Sequence, residues 1–236
     1  MNYEILFYIQ RFRKETCMKK KIFAFTLAEV LITLAIIGVV AAITIPNVIK
    51  NYQKHVYATR LKKDYNIITN SLNKAMADDG VDDFFNTEFG KAITENSQDD
   101  IETNMNKYFK NFVMLNDSDG YNYSSKAFAN RPDYRSNVNI NWCSGNVCFD
   151  LPDATFYIKR SGGNLLVYVD TNGFKQKPNQ AGKDFFSFYL DKNLKPVGSF
   201  GFYHGTDHNH NICHSHAYER GCFFNVMNNG WEIKYY

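Results

Sequence analysis

Apolar and polar positions divide the chain into distinct stretches. Residues 25–45 read FTLAEVLITLAIIGVVAAITI, 21 residues with a single charge, Glu29. At 1.5 Å per residue this is about 31 Å of helix, enough to cross a bilayer. Beyond it the pattern turns amphipathic. Val48, Ile49, Tyr52, Val56, Leu61, Tyr65, Ile68, Leu72 and Met76 recur mostly at spacings of three and four, with Lys, Asn and Asp between them. That period predicts that the helix continues, packs one face on a globular domain and stops near Asp78, Asp79 and Gly80. Residues 81–136 are polar and turn-rich, with a shorter helix expected over 101–115. From residue 137 the pattern predicts strands. Residues 138–142 alternate, and 154–159, 165–169 and 185–190 are rich in β-branched and aromatic residues. Ser161, Gly162, Gly163 and Asn164 read as a hairpin turn, and residues 231–235 as a strand closing the sheet. A long helix followed by an antiparallel sheet is an α+β arrangement.

The apolar run has three readings. A secretory signal peptide has a shorter core of roughly 7–15 residues ending at a small-residue cleavage site. The nearest small residue before this run, Ala24, lies on its other side. A helix apolar all round needs lipid or a bundle to cover it, which argues against an ordinary buried helix. A membrane span remains. Both flanks are basic, but Lys19, Lys20 and Lys21 lie nearest the membrane end, which favours the amino end in the cytoplasm. Glu29 sits only about 6 Å into the run. Near a helix start the dipole favours an acid, and in lipid an acid invites a partner charge.

Residues 19–46, KKKIFAFTLAEVLITLAIIGVVAAITIP, resemble the amino-terminal signature of type IV pilins and type II secretion pseudopilins. The family pattern is a basic leader, a small residue, Phe, three residues, Glu, then an apolar helix. The resemblance implies cleavage between Ala24 and Phe25 by a prepilin peptidase and methylation of the new Phe25 amine. The family usually has Gly where this chain has Ala24. Glu29 becomes the fifth mature residue. Pro46 falls where the family often has a proline that kinks the helix. The leader is residues 1–24, or the seven-residue MKKKIFA where translation starts at Met18. The implied fold is pilin-like. Residues 25–46 form the transmembrane and filament-core helix, 47–80 its amphipathic continuation, and 81–236 a periplasmic or extracellular globular domain. The ending GWEIKYY and the segment VDTNGFKQKPNQAGKDFFSFYL, residues 169–190, are also similar to pseudopilin-like proteins. In that family Glu29 pairs with the Phe25 amine of a neighbouring subunit. An unpaired carboxylate in a dry helix bundle is costly, so the pairing selects one register.

Charge supports the cut. Residues 1–24 carry six Lys and Arg against two Glu; without them the chain has 21 basic and 22 acidic residues. The overall charge of +3 therefore belongs to the leader and calls for no nucleic-acid partner. Cys17 is lost with the leader. The remaining Cys143, Cys148, Cys213 and Cys222 are an even set in an exported domain, which reads as two disulfides. Three pairings are open. The short loops Cys143–Cys148 and Cys213–Cys222 are preferred, against the alternative of four reduced thiols.

Two groups of residues are candidate metal ligands. Asp170, Asn172 and Asp184 are oxygen donors beside Gly173 and Gly182, a hard-donor set that suits calcium. The competing reading is a local Asx-type turn. His204, His208, His210, His214 and His216 crowd one segment and are a candidate transition-metal or pH-sensing loop, against a solvated insertion. The 20 Phe and 16 Tyr fall mainly in strand-like runs, so packing explains them better than base stacking. No nucleophile elbow, zinc-protease, P-loop or dinucleotide motif is present in the sequence, so no catalytic residues are expected and no enzyme.

The expected function is a structural subunit of a type IV filament, with a type II secretion pseudopilin ahead of a pilus or competence pilin. Its partners would be further copies of itself, the prepilin peptidase and the inner-membrane assembly platform. It would be a single-pass inner-membrane protein before entering a periplasmic or extracellular filament, with no cofactor required beyond a candidate calcium. Two alternatives stand beside it. One is a minor tip-located pilin that binds a surface, metal or DNA. The other is a signal-anchored exported domain with no filament role.

Overall fold

The structure is a computed structural model that describes residues 25–115, 122–123, 140–141, 143, 147–176, 182–197 and 220–234. The chain divides into two units, Met1–Val48 and Ile49–Tyr236. The first helix, α1 (Leu27–Asp79), has 53 residues with Pro46 inside it. In the first unit every described residue is exposed save the half-buried Ala41. This part of α1 is long and apolar enough to cross a membrane. Its hydroxyls are turned inward on the backbone. Thr33 Oγ1 donates to the Val30 carbonyl and Thr44 Oγ1 to the Val40 carbonyl, each at 2.9 Å. Pro46 has no N–H to offer the Ala42 carbonyl one turn back.

In the second unit α1 buries Ala58, Leu61, Asp64, Ile68, Thr69, Leu72 and Ala75, a stripe at spacings of three and four. Burial starts later than the pattern predicted: Ile49 and Tyr52 are exposed. The helix ends as expected. Gly80 takes φ +66°, and the Val81 and Gly80 amides donate to the Met76 and Ala77 carbonyls at 3.1 and 3.3 Å. Those two bonds form the left-handed cap that glycine favours.

Residues 81–112 are more helical than expected. A 3-10 turn, Phe84–Asn86, leads to α2 (Glu88–Glu95), then α3 (Gln98–Tyr108). Thr87 caps α2 by accepting from the Gly90 amide at 2.8 Å. Gly90 packs so closely on the Phe84 carbonyl that a Cβ there would clash. The helix predicted over 101–115 is therefore α3, starting earlier and ending at Tyr108. Residues Val113–Met114 are instead strand β1.

Strands β2 (Asn122–Tyr123) and β3 (Ile140–Asn141) form a separate antiparallel pair. Only these two residues of the predicted 138–142 strand lie inside the described residues. Strands β4 (Val147–Leu151), β5 (Ala154–Ser161), β6 (Asn164–Asp170), β7 (Phe185–Leu190) and β8 (Pro196–Val197) join β1 in one antiparallel sheet, in the order β1-β4-β5-β6-β7-β8. The hairpin turn at Ser161–Asn164 stands as predicted, with Gly162 at φ +62°.

The sheet is apolar on both faces. Phe156, Ile158, Val167, Phe186 and Phe188 join Leu61, Ile68 and Leu72 of α1 in one core. Tyr157, Leu166, Tyr168 and Phe185 alternate onto a second cluster with Cys148 and Leu115. Burial on both faces explains why these strands read as nearly unbroken apolar runs.

The predicted closing strand at 231–235 is corrected. Residues 231–234 form no strand, and Tyr235 lies outside the described residues. They follow helix α4 (Arg220–Asn228). Gly230 at φ +72° ends that helix. The Trp231 amide donates to the Val226 carbonyl at 2.8 Å, the same cap as at Gly80. The Trp231 ring packs on Tyr65 and Phe223, with centroids 5.6 and 6.0 Å apart.

Asp64 is the exception in the buried stripe. It is 2% exposed, and its Oδ2 accepts no hydrogen bond. Burial pushes its carboxyl up to about 8 from 3.8; Lys63 and Arg60 pull it down, while Asp153 and Asp170 add to the rise. Between about pH 4 and 8 the unfolded chain has lost this proton while the folded chain keeps it, so stability falls as pH rises through that window. Asp64→Asn should remove that slope. Thermal unfolding of the detergent-solubilised chain should show little gain near pH 4 and a gain on the order of a few kcal/mol near pH 8.

Candidate functional site

The site begins where the leader would end. Ala24 lies outside the described residues. Phe25 is the first described residue and is 84% exposed. Thr26 is the cap of α1. Its amide and its hydroxyl both donate to Glu29 Oε2, each at 2.8 Å, and the Glu29 amide donates back to Thr26 Oγ1 at 3.2 Å. The Val30 amide closes the first turn on the Thr26 carbonyl at 3.2 Å. Thr, two residues, then Glu is the reciprocal arrangement that satisfies otherwise orphaned donors at a helix start.

This geometry changes the chemistry of Glu29. In an apolar medium an unsatisfied polar group costs several kcal/mol. Here Oε2 is satisfied by the preceding turn, while Oε1 takes no bond among the described residues. The carboxylate is thus held in place with one oxygen available to a further donor. Thr26 holds this turn, and nothing in its charge marks it in the sequence. The spacing T-x-x-E was its visible signal.

The second candidate group lies at one end of the β6–β7 pair. Asp170 and Asp184 are fully buried, and Asn172 nearly so. Asp170 pairs in register with Phe185, and the Thr171 amide donates to the Asp184 carbonyl at 2.7 Å. Strand pairing therefore brings together residues 14 positions apart in sequence. The local-turn reading is also present: the Asn172 amide donates to Asp170 Oδ1 at 3.3 Å, and Gly173 turns at φ +78°. Among the described residues no three His, Cys, Asp or Glu side chains gather to hold one metal ion.

Cys143 and Cys148 form a disulfide with their Cα atoms 5.4 Å apart. Cys222, on α4, is also disulfide-bonded. Cys213 and the five clustered histidines, His204, His208, His210, His214 and His216, lie outside the described residues.

A family model described as the prokaryotic N-terminal methylation motif matches residues 19–45. The amino-terminal segment carries a prepilin signature. The matched stretch runs from the Lys-rich prefix through Glu29 to the end of the apolar run, so the capped carboxylate lies inside the motif. No curated protein matches the chain, and no solved structure matches it.

Thr26 caps the turn that holds Glu29 within the matched motif. Thr26→Ala should weaken the start of α1 by about 1 kcal/mol. Hydrogen exchange on the micelle-embedded chain should show the Glu29 amide exchanging about fivefold faster. The amides near Leu72, deep in the second unit, should be unchanged.

Proposed function

We propose that this chain is a structural subunit of a type IV filament system. A prepilin peptidase cuts between Ala24 and Phe25, the Phe25 amine is methylated, and the subunit polymerises through the apolar part of α1. Before assembly it is a single-pass inner-membrane protein with its amino end in the cytoplasm. An assembly platform then draws it into the filament. Its work on this reading is structural rather than catalytic, and a type II secretion pseudopilin is favoured over a pilus pilin.

The observation that carries the proposal is the methylation motif over residues 19–45 with Glu29 inside it. What supports the assembly role is the geometry of Glu29, whose Oε1 is left for a donor outside the described residues. A neighbouring Phe25 amine supplies that donor and a compensating charge. Intact-mass and terminal analysis of the native protein should find methyl-Phe25 first. Glu29→Ala should be cut and retained in the membrane but enter filaments poorly. A native protein that keeps its lysine-rich prefix would count against the proposal, as would normal filament incorporation of the variant.

A calcium ion at the end of the β6–β7 pair is a second element of the proposal. Two fully buried carboxyl residues, Asp170 and Asp184, with Asn172 beside them make an all-oxygen set, the donor chemistry that calcium takes. The ion would tie the two strand ends together. Saturating calcium should raise the thermal midpoint of the chain by about 5 °C or more, and Asp184→Asn should abolish the rise.

A further inference from the structure

A cleft of about 440 Å³ lies within the second unit. Its walls come from α1, the residues following α3 and the β4–β5 turn. They divide by chemistry. Ile67, Leu151 and Pro152 are apolar, and Tyr108 and Phe109 are aromatic. Asp64 also lines the cleft; it is almost fully buried, and its Oδ2 takes no hydrogen bond.

The other charged groups are engaged or in solvent. Lys63 Nζ binds Asp153 Oδ2 at 2.8 Å, with half or more of each side chain exposed. Lys110 is exposed. The Ser71 hydroxyl donates to the Tyr108 carbonyl at 3.1 Å. A buried carboxyl whose Oδ2 has no hydrogen-bond partner is therefore left at the wall of a cleft that is otherwise largely apolar and aromatic.

We infer that this cleft binds a primary ammonium group carried on a methylene chain, with Asp64 as its counter-charge. The methylenes lie against Ile67, Leu151 and Pro152. A divalent metal is poorly served. Calcium takes about six to eight oxygens, whereas Asp153 is already paired and no metal-ligand cluster exists among the described residues. An anion would meet Asp64 and find Lys63 committed elsewhere. The inference does not rest on the filament reading.

Binding is proton-linked. Arg60 and Lys63 of α1, Asp153 of the β4–β5 turn and Asp170 of β6 are the charged groups that act on Asp64. The carboxyl keeps its proton up to about pH 8. An arriving ammonium pairs with the carboxylate, and the displaced proton leaves to solvent. The ammonium itself stays charged, since its pKa is near 10.4. Affinity thus rises about tenfold for each pH unit below the midpoint and levels off above it.

The ammonium could be that of a free alkyl diamine or of a lysine on another polypeptide. Calorimetric titration of the full chain in detergent distinguishes them, with cadaverine and N-acetyl-lysine methylamide as probes. Binding should be about fiftyfold tighter near pH 8 than near pH 6, with about one proton released per ligand near pH 6 and about half a proton near pH 8. Tighter binding of cadaverine supports a free amine; tighter binding of the lysine amide supports a lysine side chain. Asp64→Asn should abolish binding. Asn70→Trp, at an exposed residue of the same cleft, should also abolish it while leaving the pH dependence of stability intact. The inference is overturned if neither probe binds, if both variants bind like the parent chain, or if affinity does not rise with pH.

Discussion

The second unit depends on one contact: the apolar stripe of α1 laid on one face of the antiparallel sheet. Leu61, Ile68 and Leu72 are fully buried against Phe156, Phe186 and Phe188. Each such side chain contributes about 1.5–3 kcal/mol by leaving water. Tyr65 fixes the side of this contact, since its ring meets Phe188, Phe223 and Trp231 at centroid distances of 5.4–5.6 Å. Helix α4 and the residues after it are held by the same aromatic group. Sliding α1 by one residue would rotate the stripe by about 100° and bring polar residues to the sheet.

A second theme is how the protein handles acids placed in poor solvent. Glu29 sits in an apolar stretch and is held by Thr26, one turn back. Asp170 is buried beside a local turn that donates an amide to its side chain. Asp64 is buried with an unbonded oxygen, and burial raises its pKa to about 8, so it holds its proton below that pH. The three solutions are a capping hydrogen bond, a backbone amide and protonation. They follow one rule: a charge leaves water only where something else satisfies it. The first solution still leaves Oε1 of Glu29 without a bond among the described residues.

Much of the candidate site could be read from the residues because its signals are local. The prepilin motif, Glu29 and the apolar run sit within residues 19–45, and nothing distant is needed to see them. Thr26 is equally local, but its signal is the T-x-x-E spacing rather than a charge. Asp170, Asn172 and Asp184 could be singled out by type, but only the pairing of β6 with β7 brings them to one place. Asp64 gave no signal at all. An aspartate among the polar residues of an amphipathic helix looks solvated until the neighbouring elements cover it.

The residues alone determined the long helix, its end at Gly80, the hairpin turn at Gly162 and the prepilin motif. Each rests on a short-range rule: a helical period, a left-handed glycine or a linear pattern of charge and apolarity. Tertiary structure decided what the residues 147–151 and 220–234 become. Val147–Leu151 is a short run with an aspartate in it, and it becomes a strand because β1 and β5 pair with it on either side. Trp231 looked like a strand residue by composition. It instead follows a helix cap, because its ring completes an aromatic core built from α1, β7 and α4. Short apolar segments have no period of their own long enough to choose, so the partners that cover them make the choice.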